Sequence, residues 1–340
     1  MDELIKEINN LYGLEVHSPQ RVMGGFLSEN HILIQGDAKY FLKQYAFNDE
    51  DKVKGVHAVK KYFKEGGIPV ILPIVNKSGN TFFSFAGEYF ALFPFIDGKY
   101  IPKSELSDTA IVSLAEMLGK MHLLGKKSSL ILVEQFKGWD KQKLIQKGEN
   151  IITEIKKRAE LLDFDKLALE DVEWRISKIK SNSTTFEELG FKNDHLIHGD
   201  YQEANVFFDN SDQVTHIFDF EKAMYAPRLY ELWRSTFFMF FSGNLSSKSI
   251  TQAKLFLSSY LNVYPASTQE LRRGFKLFYL RSLHSFWVPA EHYLKGNSRI
   301  DKLLSPRFQT IQYIEENFEE LEGKLIEYKY EEQKYRIENL

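Results

Sequence analysis

The segment richest in chemistry is His198-Gly199-Asp200-Tyr201-Gln202-Glu203-Ala204-Asn205, followed by Val206-Phe207-Phe208-Asp209 and then by Ile217-Phe218-Asp219-Phe220-Glu221. An acid, an amide five residues later and a second acid at the end of the next apolar run converge when the two runs form a β-hairpin. Phosphoryl transfer from ATP needs such a set: a carboxylate to orient a hydroxyl and accept its proton, and oxygen ligands to hold Mg2+ against the phosphates. On this reading Asp200 is the base, while Asn205 and Asp219 ligate the metal. Asp219 is the stronger ligand because its full charge meets a hard dication. The expected cofactors are ATP and Mg2+.

Composition narrows the alternatives. The 340 residues contain no cysteine, which excludes disulfide scaffolds, thiol nucleophiles, thiolate zinc sites and cysteine-held iron–sulfur clusters. Lys+Arg 44 against Asp+Glu 47 gives a net charge of −3, without the basic excess of a nucleic-acid binder. No run of about eighteen apolar residues occurs, and MDELIKEINNLYG has no basic start followed by an apolar core. A cytoplasmic protein with no membrane or nucleic-acid partner is expected. At 43% hydrophobic and 27% charged residues the chain is long enough for two lobes.

The elements that must position these residues follow from periodicity. Short β-rich runs at His31–Ile34, Lys39–Tyr45, Thr81–Ala86 and Tyr89–Phe93, separated by Gly, Asn and Asp, predict antiparallel strands. One helix interrupts them over Asp51–Glu65, with Val53, Val56, Val59 and Phe63 near helical spacing, and Gly66-Gly67 stops it ahead of Pro69. After Asp97-Gly98 the pattern turns helical, starting with Leu106–Leu124, for which Ser107 or Asp108 is the cap. Further helices are expected over Ile151–Lys180, Tyr230–Phe241, Ile250–Leu261 and Thr268–Tyr293, around a strand-rich island at Leu196–Asp209 and Val214–Phe220. Leu321–Leu340 reads as a charged surface helix. The fold class is α+β. A small strand-rich N-terminal lobe spans 1–96 and a mostly helical lobe spans 97–340.

The H-x-D-x-x-x-x-N loop with its following D-F strand end resembles the aminoglycoside phosphotransferase, choline kinase and homoserine kinase superfamily, relatives of the protein kinases. The resemblance extends in order from roughly Leu11 to Phe318 and implies a protein-kinase-like two-lobed fold, in which the 1–96 lobe binds nucleotide, a hinge lies at about 91–98 and the 97–340 lobe carries the catalytic loop and substrate pocket. It also implies roles outside the loop. Gly24-Gly25-Phe26-Leu27-Ser28 matches the turn that covers the nucleotide, with Gly24, Gly25 and Ser28 near its phosphates. Lys43, on a strand face shared with Phe41 and Tyr45, matches the lysine that pairs with the α- and β-phosphates. Phe93 and Phe95 flank Pro94, which has no N–H, and are the expected backbone partners of adenine.

One departure stands out. The family's glutamate on the helix after the lysine strand would fall near Val56-His57, where there is no acid; Glu50 and Asp51 are the nearest upstream. Either one of these serves or Lys43 is held differently. His198 and His122 read as framework residues that brace the loop and the first large helix.

For the acceptor, a small molecule bearing a hydroxyl, two comparisons within the superfamily pull apart. Gln202, Glu221 and the run through Glu231 resemble choline and ethanolamine kinases, while Arg281-Ser282-Leu283-His284-Ser285-Phe286-Trp287 is similar to a helix of homoserine kinases. Trp287 and Glu291, four apart, would present a ring and a carboxylate together to an alkylammonium, beside Glu231 and His292, unless Pro289 disturbs the register. The acceptor is thus expected among amino alcohols, homoserine-like compounds and sugars or aminoglycosides. Two other classes compete with the small-molecule kinase: a catalytically inactive kinase-like binding or scaffold protein, supported by the missing helix glutamate, and a protein kinase. The HGD loop and the lack of a glycine after Asp219-Phe220 disfavour the latter.

Overall fold

The computed structural model describes residues 1–17, 19–22, 29–241 and 247–327. Chain order begins α1 (Asp2–Tyr12), β1 (Gln20–Arg21), β2 (Asn30–Gln35), β3 (Ala38–Gln44), α2 (Glu50–Glu65), β4 (Phe83–Phe85) and β5 (Glu88–Pro94). The five strands form one antiparallel sheet in the order β1-β2-β3-β5-β4. Alternation along β3 and β5 divides their side chains between two cores. Leu42, Phe90 and Leu92 join Leu4, Ile5 and Ile8 of α1 on one face. Tyr45, Ala91 and Phe93 join Val53, Val56, Val59 and Phe63 of α2 on the other. Lys43 has the parity of that second face, so it points toward the second lobe. The helix α1 was not expected from the sequence; it covers the outer sheet face.

The second lobe contains α3 (Asp108–Gly125), β6 (Glu134–Gln135), α4 (Lys141–Lys156), α5 (Asp163–Ser181), β7 (His195–Ile197), β8 (Val206–Phe208), β9 (Val214–Ile217) and β10 (Met224–Ala226). It continues with α6 (Arg228–Phe240), α7 (Ser247–Val263), α8 (Thr268–Leu283), α9 (Trp287–Lys295), α10 (Leu304–Glu316) and α11 (Phe318–Glu322). Ser107 is the cap of α3, its side chain accepting from the Ala110 N–H at 3.1 Å. Buried Ile111, Leu114, Ala115, Leu118 and Met121 then run α3 through the core.

The predicted helix over 151–180 is instead two helices. Asp140 caps α4, and α5 restarts where Asp165 Oδ2 accepts the Leu162 N–H at 2.9 Å. The predicted helix over 268–293 is also interrupted, at 284–286. There Arg175 Nη1 donates to the Ser282 and Leu283 carbonyls at 2.7 and 3.1 Å, taking up the open carbonyls of the α8 end. Pro289 falls in the first turn of α9, where a missing N–H costs no helical bond, and the Ala290 N–H still reaches the Phe286 carbonyl at 2.9 Å. The expected surface helix over 321–340 falls within the described residues only to 327.

Backbone bonds join the lobes: the Ile217 N–H donates to the Pro69 carbonyl at 2.8 Å and the Ile71 N–H to the Ile217 carbonyl at 3.2 Å. Within the second lobe, just past the linker, the Phe208 N–H donates to the Lys99 carbonyl at 2.9 Å. Among the described residues no helix is long and apolar enough to cross a membrane.

Candidate active site

β8 and β9 are an antiparallel pair, with Val206 opposite Ile217. Asn205 and Phe218 therefore leave the ladder at the same end, where the Phe218 N–H donates to the Asn205 carbonyl at 3.0 Å. Asn205 Nδ2 turns back to the Asp200 carbonyl at 2.8 Å. These bonds bring Asp200, Asn205 and Asp219 to one mouth. Asp219 adopts a left-handed conformation, φ 65 and ψ 55, which ends the strand sharply and turns its carboxylate toward the N-terminal sheet. There Lys43 Nζ lies 2.8 Å from Asp219 Oδ1 and 2.5 Å from Glu221 Oε1.

Histidines and a buried glutamate fix the loop. His198 Nε2–H donates to the Phe218 carbonyl at 2.8 Å, which leaves Nδ1 to accept the Asp200 N–H at 3.2 Å. Glu231 of α6 is fully buried and accepts the His198 and Gly199 N–H groups at 3.0 and 2.5 Å. His122 of α3 also reaches Glu231, Nε2 to Oε2 at 3.0 Å, while its Nδ1 meets the Tyr260 hydroxyl at 2.8 Å. Arg228 donates to that hydroxyl at 2.9 Å. Burial pushes His122 down, and Glu231, although burial alone would raise it, is lowered by His122. The pair is therefore a neutral imidazole donating to a carboxylate. Both histidines are framework residues in this geometry. Glu231, expected at the acceptor, is committed to the loop and has no oxygen open to a ligand.

Asp200 is 8% exposed as a residue and held by two cations. Arg234 Nη2 of α6 donates to Oδ1, and Lys222 Nζ lies 2.7 Å from Oδ2. Burial would raise this carboxyl, but Arg234 and Lys222 outweigh it and hold it far below the usual carboxylate range. Gln202 Nε2 adds a longer contact to Oδ1 at 3.3 Å. Sequence reasoning missed both cations. The signal for Arg234 was a lone charge within the apolar run Leu232-Trp233-Arg234-Ser235-Thr236-Phe237.

The acid missing from α2 has a structural counterpart elsewhere. Glu50 pairs with Lys54 at the surface, and Asp51 is exposed, so neither holds Lys43. His57 stands near the expected place, its ring 2.6 Å from the Tyr45 hydroxyl and 2.7 Å from Thr81 Oγ1. Burial, then Lys60 and Lys43, push His57 down to about 3 and keep it neutral. Lys43 is held instead by Asp219 and Glu221. Burial alone would lower Lys43, and the two carboxylates more than reverse that.

A hard dication would find oxygen donors here. Asn205 Oδ1 has no hydrogen bond among the described residues, and the Asp219 side chain is 39% exposed against 12% for Asp200. Two protein oxygens, completed by phosphates and water, suit Mg2+ better than an all-protein cage. No cluster of three His, Asp or Glu able to hold a metal occurs among the described residues.

At the hinge, the Phe95 N–H donates to the Lys39 carbonyl at 3.4 Å and Phe93 is paired with Phe41. Gly24, Gly25 and Ser28 lie outside the described residues. Glu291 accepts from Lys295 Nζ at 2.6 Å and Asn297 Nδ2 at 3.1 Å, so both its oxygens are engaged. His292 lies between Arg158 and Asp301. Trp287 does border the site, with Lys222 Nζ 5.9 Å from its ring centroid.

A loop carboxylate, an amide and a strand-end carboxylate gathered beneath a sheet lysine, between a β lobe and a helical lobe, define a protein-kinase-like phosphotransferase. Residues 19–264 match the model of the phosphotransferase enzyme family (APH), and the chain belongs to that family of small-molecule phosphotransferases. Solved structures share the fold. An amicoumacin kinase in complex with AMP-PNP and Ca2+ superposes at a TM-score of 0.64 and 12% identity, over 92% of this chain and 93% of that one. A spectinomycin phosphotransferase in complex with ADP and spectinomycin gives 0.62 and 17%, over 92% and 93%. A microcompartment-associated aminopropanol kinase gives 0.60 and 12%, over 94% and 98%. No curated protein matches.

Proposed function

We propose that this enzyme transfers the γ-phosphoryl group of ATP to a hydroxyl of a small molecule, with Mg2+ held by Asn205 and Asp219. The observation that carries this reading is the convergence of Asp200, Asn205, Asp219 and Lys43 at one mouth between the lobes. The amicoumacin kinase and spectinomycin phosphotransferase structures, which hold AMP-PNP and ADP, support a nucleotide in the same cleft. Mg2+ supplies charge neutralisation for the β- and γ-phosphates when bound. Lys43 pairs with the α- and β-phosphates, and the hinge near Phe93 and Phe95 receives adenine.

Asp200 accepts the hydrogen bond of the acceptor hydroxyl and aims its oxygen in line with the γ-phosphorus. The bond from the γ-phosphorus to the β,γ-bridging oxygen breaks, a bond to the acceptor oxygen forms, and the hydroxyl proton leaves by way of Asp200. The products are ADP and a phosphate monoester. A carboxylate held this strongly ionised is a weak proton store, so its main contribution is orientation, in keeping with a reaction that depends on positioning and electrostatics. The scaffold alternative rested on the missing α2 acid, yet Lys43 is held by two carboxylates.

The test is ADP release from Mg·ATP with a panel of amino alcohols, homoserine, sugars and aminoglycosides. Acceptor-dependent turnover that Asp200→Asn lowers by roughly 10²–10⁴ is expected. Full turnover in that variant, or nucleotide binding with no turnover on any hydroxyl compound, would overturn the assignment.

A further inference from the structure

The acceptor side of Asp200 carries more positive charge than the chain neutralises. Contacts run in a closed ring. Asp200 Oδ2 meets Lys222 Nζ at 2.7 Å, and Lys222 lies 5.9 Å from the centroid of Trp287. The Arg307 guanidinium lies 5.2 Å from the Trp287 centroid and 5.5 Å from that of Phe238. The Arg234 guanidinium lies 4.3 Å from the Phe238 centroid and returns to Asp200 Oδ1. Three cations and two aromatic rings thus lie around the Asp200 carboxylate; a further acid within reach of its charge, Glu203, is buried, and burial raises its carboxyl.

The donors are not used up. Arg234 Nη1 is buried without a hydrogen-bond partner, and Arg307 has neither an ion pair nor a hydrogen bond among the described residues. The next arginine, Arg175, is neutralised by Asp171 at 2.7 Å, and the nearby Glu231 is committed beneath the loop. Burial, then Arg234 and Arg175, push Arg307 down to about 10, as expected of a cation beside cations. A buried orphan donor on a guanidinium calls for an acceptor that the chain does not supply. Trp287, expected to receive a ligand's alkylammonium, faces the protein's own Lys222 and Arg307, and Glu291 is engaged by Lys295 and Asn297. A cationic acceptor would meet like charge here.

We propose that the acceptor is an anionic hydroxyl compound, whose carboxylate or phosphate is taken by Arg234 and Arg307 while its hydroxyl meets Asp200. The guanidinium fork matches either anion in two-point geometry. Transfer then proceeds as above, from the γ-phosphorus of ATP to the acceptor oxygen, and gives a product carrying a second anionic group. The proposal rests on the phosphotransferase reading and deepens it.

The experiment uses two matched sets: glycerol, glycerate, glycerol 3-phosphate and 3-amino-1,2-propanediol; and glucose, gluconate, glucose 6-phosphate and glucosamine. ADP release with Mg·ATP and calorimetric binding to the Mg·AMP-PNP complex are measured for each. The anionic members are expected to bind and react best, and comparison of carboxylate with phosphate identifies which anion fits. Arg307→Met should lower the ratio of kcat/KM for the anionic to the uncharged member by about 10- to 100-fold, the scale of a charge-assisted hydrogen bond, and Arg307→Lys should restore part of it. General damage to the fold would lower both activities and leave the ratio alone. Preference for the cationic or neutral members, failure of every anionic member to bind the Mg·AMP-PNP complex, or an unchanged ratio in Arg307→Met overturns the proposal while the kinase reading stands. Absence of Mg-dependent nucleotide binding would instead remove the kinase reading itself.

Discussion

Asp200 accepts from Arg234 and Lys222 at once, and this sets what it can do. Its ionisation lies far below neutrality, so the acidic limb of a pH–rate profile should not come from this group. Asp200→Asn keeps the shape and removes the charge; turnover should fall by roughly 10²–10⁴, read by coupled ADP release with circular dichroism to verify the fold. Lys60 of α2 is the opposite case. It is 3% exposed, has no ion pair or hydrogen bond among the described residues, and its ammonium lies 4.1 Å from the Phe93 ring centroid. Burial, then Lys43, push it down to about 7 from 10.5. A lysine lowered in the folded state binds fewer protons there than in the unfolded chain between those two values. Its destabilising effect is therefore full below about 7 and fades as the pH rises toward 10.5. Lys60→Met should stabilise the protein by on the order of 1–4 kcal/mol at neutral pH and flatten this slope. Urea unfolding at several pH values measures both, and a less stable variant at pH 7 would contradict the argument.

At the scale of elements, α6 holds the 198–205 loop with two residues one helical turn apart: Glu231 takes the His198 and Gly199 amides, and Arg234 takes the Asp200 carboxylate. Gly199 makes this approach possible, since it sits at φ +81 and a Cβ there would come within 1.8 Å of the Lys222 carbonyl oxygen. Glu231→Gln keeps one acceptor oxygen but loses the charge opposite two amides and His122. It should cost about 1–3 kcal/mol by urea unfolding and lower kcat more than it alters nucleotide affinity. Because the carboxyl of Glu231 is lowered on folding, its contribution is present above the unfolded value and is lost as the pH falls through the folded one. The hairpin that carries Asn205 and Asp219 was legible because its residues are close in sequence and its periodicity is short. The caps of α3 and the stop of α2 were legible for the same reason. Breaks at 157–162 and 284–286 were not, because contacts between distant elements fix them, as where Arg175 of α5 takes the last carbonyls of α8. Arg234 and Arg307 escaped notice because a charge in an apolar helix acquires meaning only from the partner it meets, or lacks, across the fold.

For the whole molecule, the backbone bonds between 69–71 and Ile217 are independent of any ligand and fix the floor of the cleft against the β lobe. The ion pairs of Lys43 with Asp219 and Glu221 are different, because they occupy a group that Mg2+ would take. On the proposed reading Asp219 would hold the metal of Mg·ATP in place of Lys43, Lys43 would be released to the phosphates, and Glu221 would stay as the lysine's anchor. Binding of this kind would replace one interlobe tie by several. At a ligand concentration of 100 Kd this should stabilise the folded state by about 2.7 kcal/mol and raise Tm by a few degrees. The shift should require both halves of the site. EDTA or Asp219→Asn removes it by leaving the triphosphate charge without its dication, and Lys43→Met reduces it by removing the cation on the opposite lobe. Differential scanning fluorimetry with ATP, Mg2+ and EDTA measures all three. A full shift that persisted in EDTA, or in Asp219→Asn, would mean that nucleotide binds without the metal bridge between lobes, and the exchange at Asp219 would fall with it.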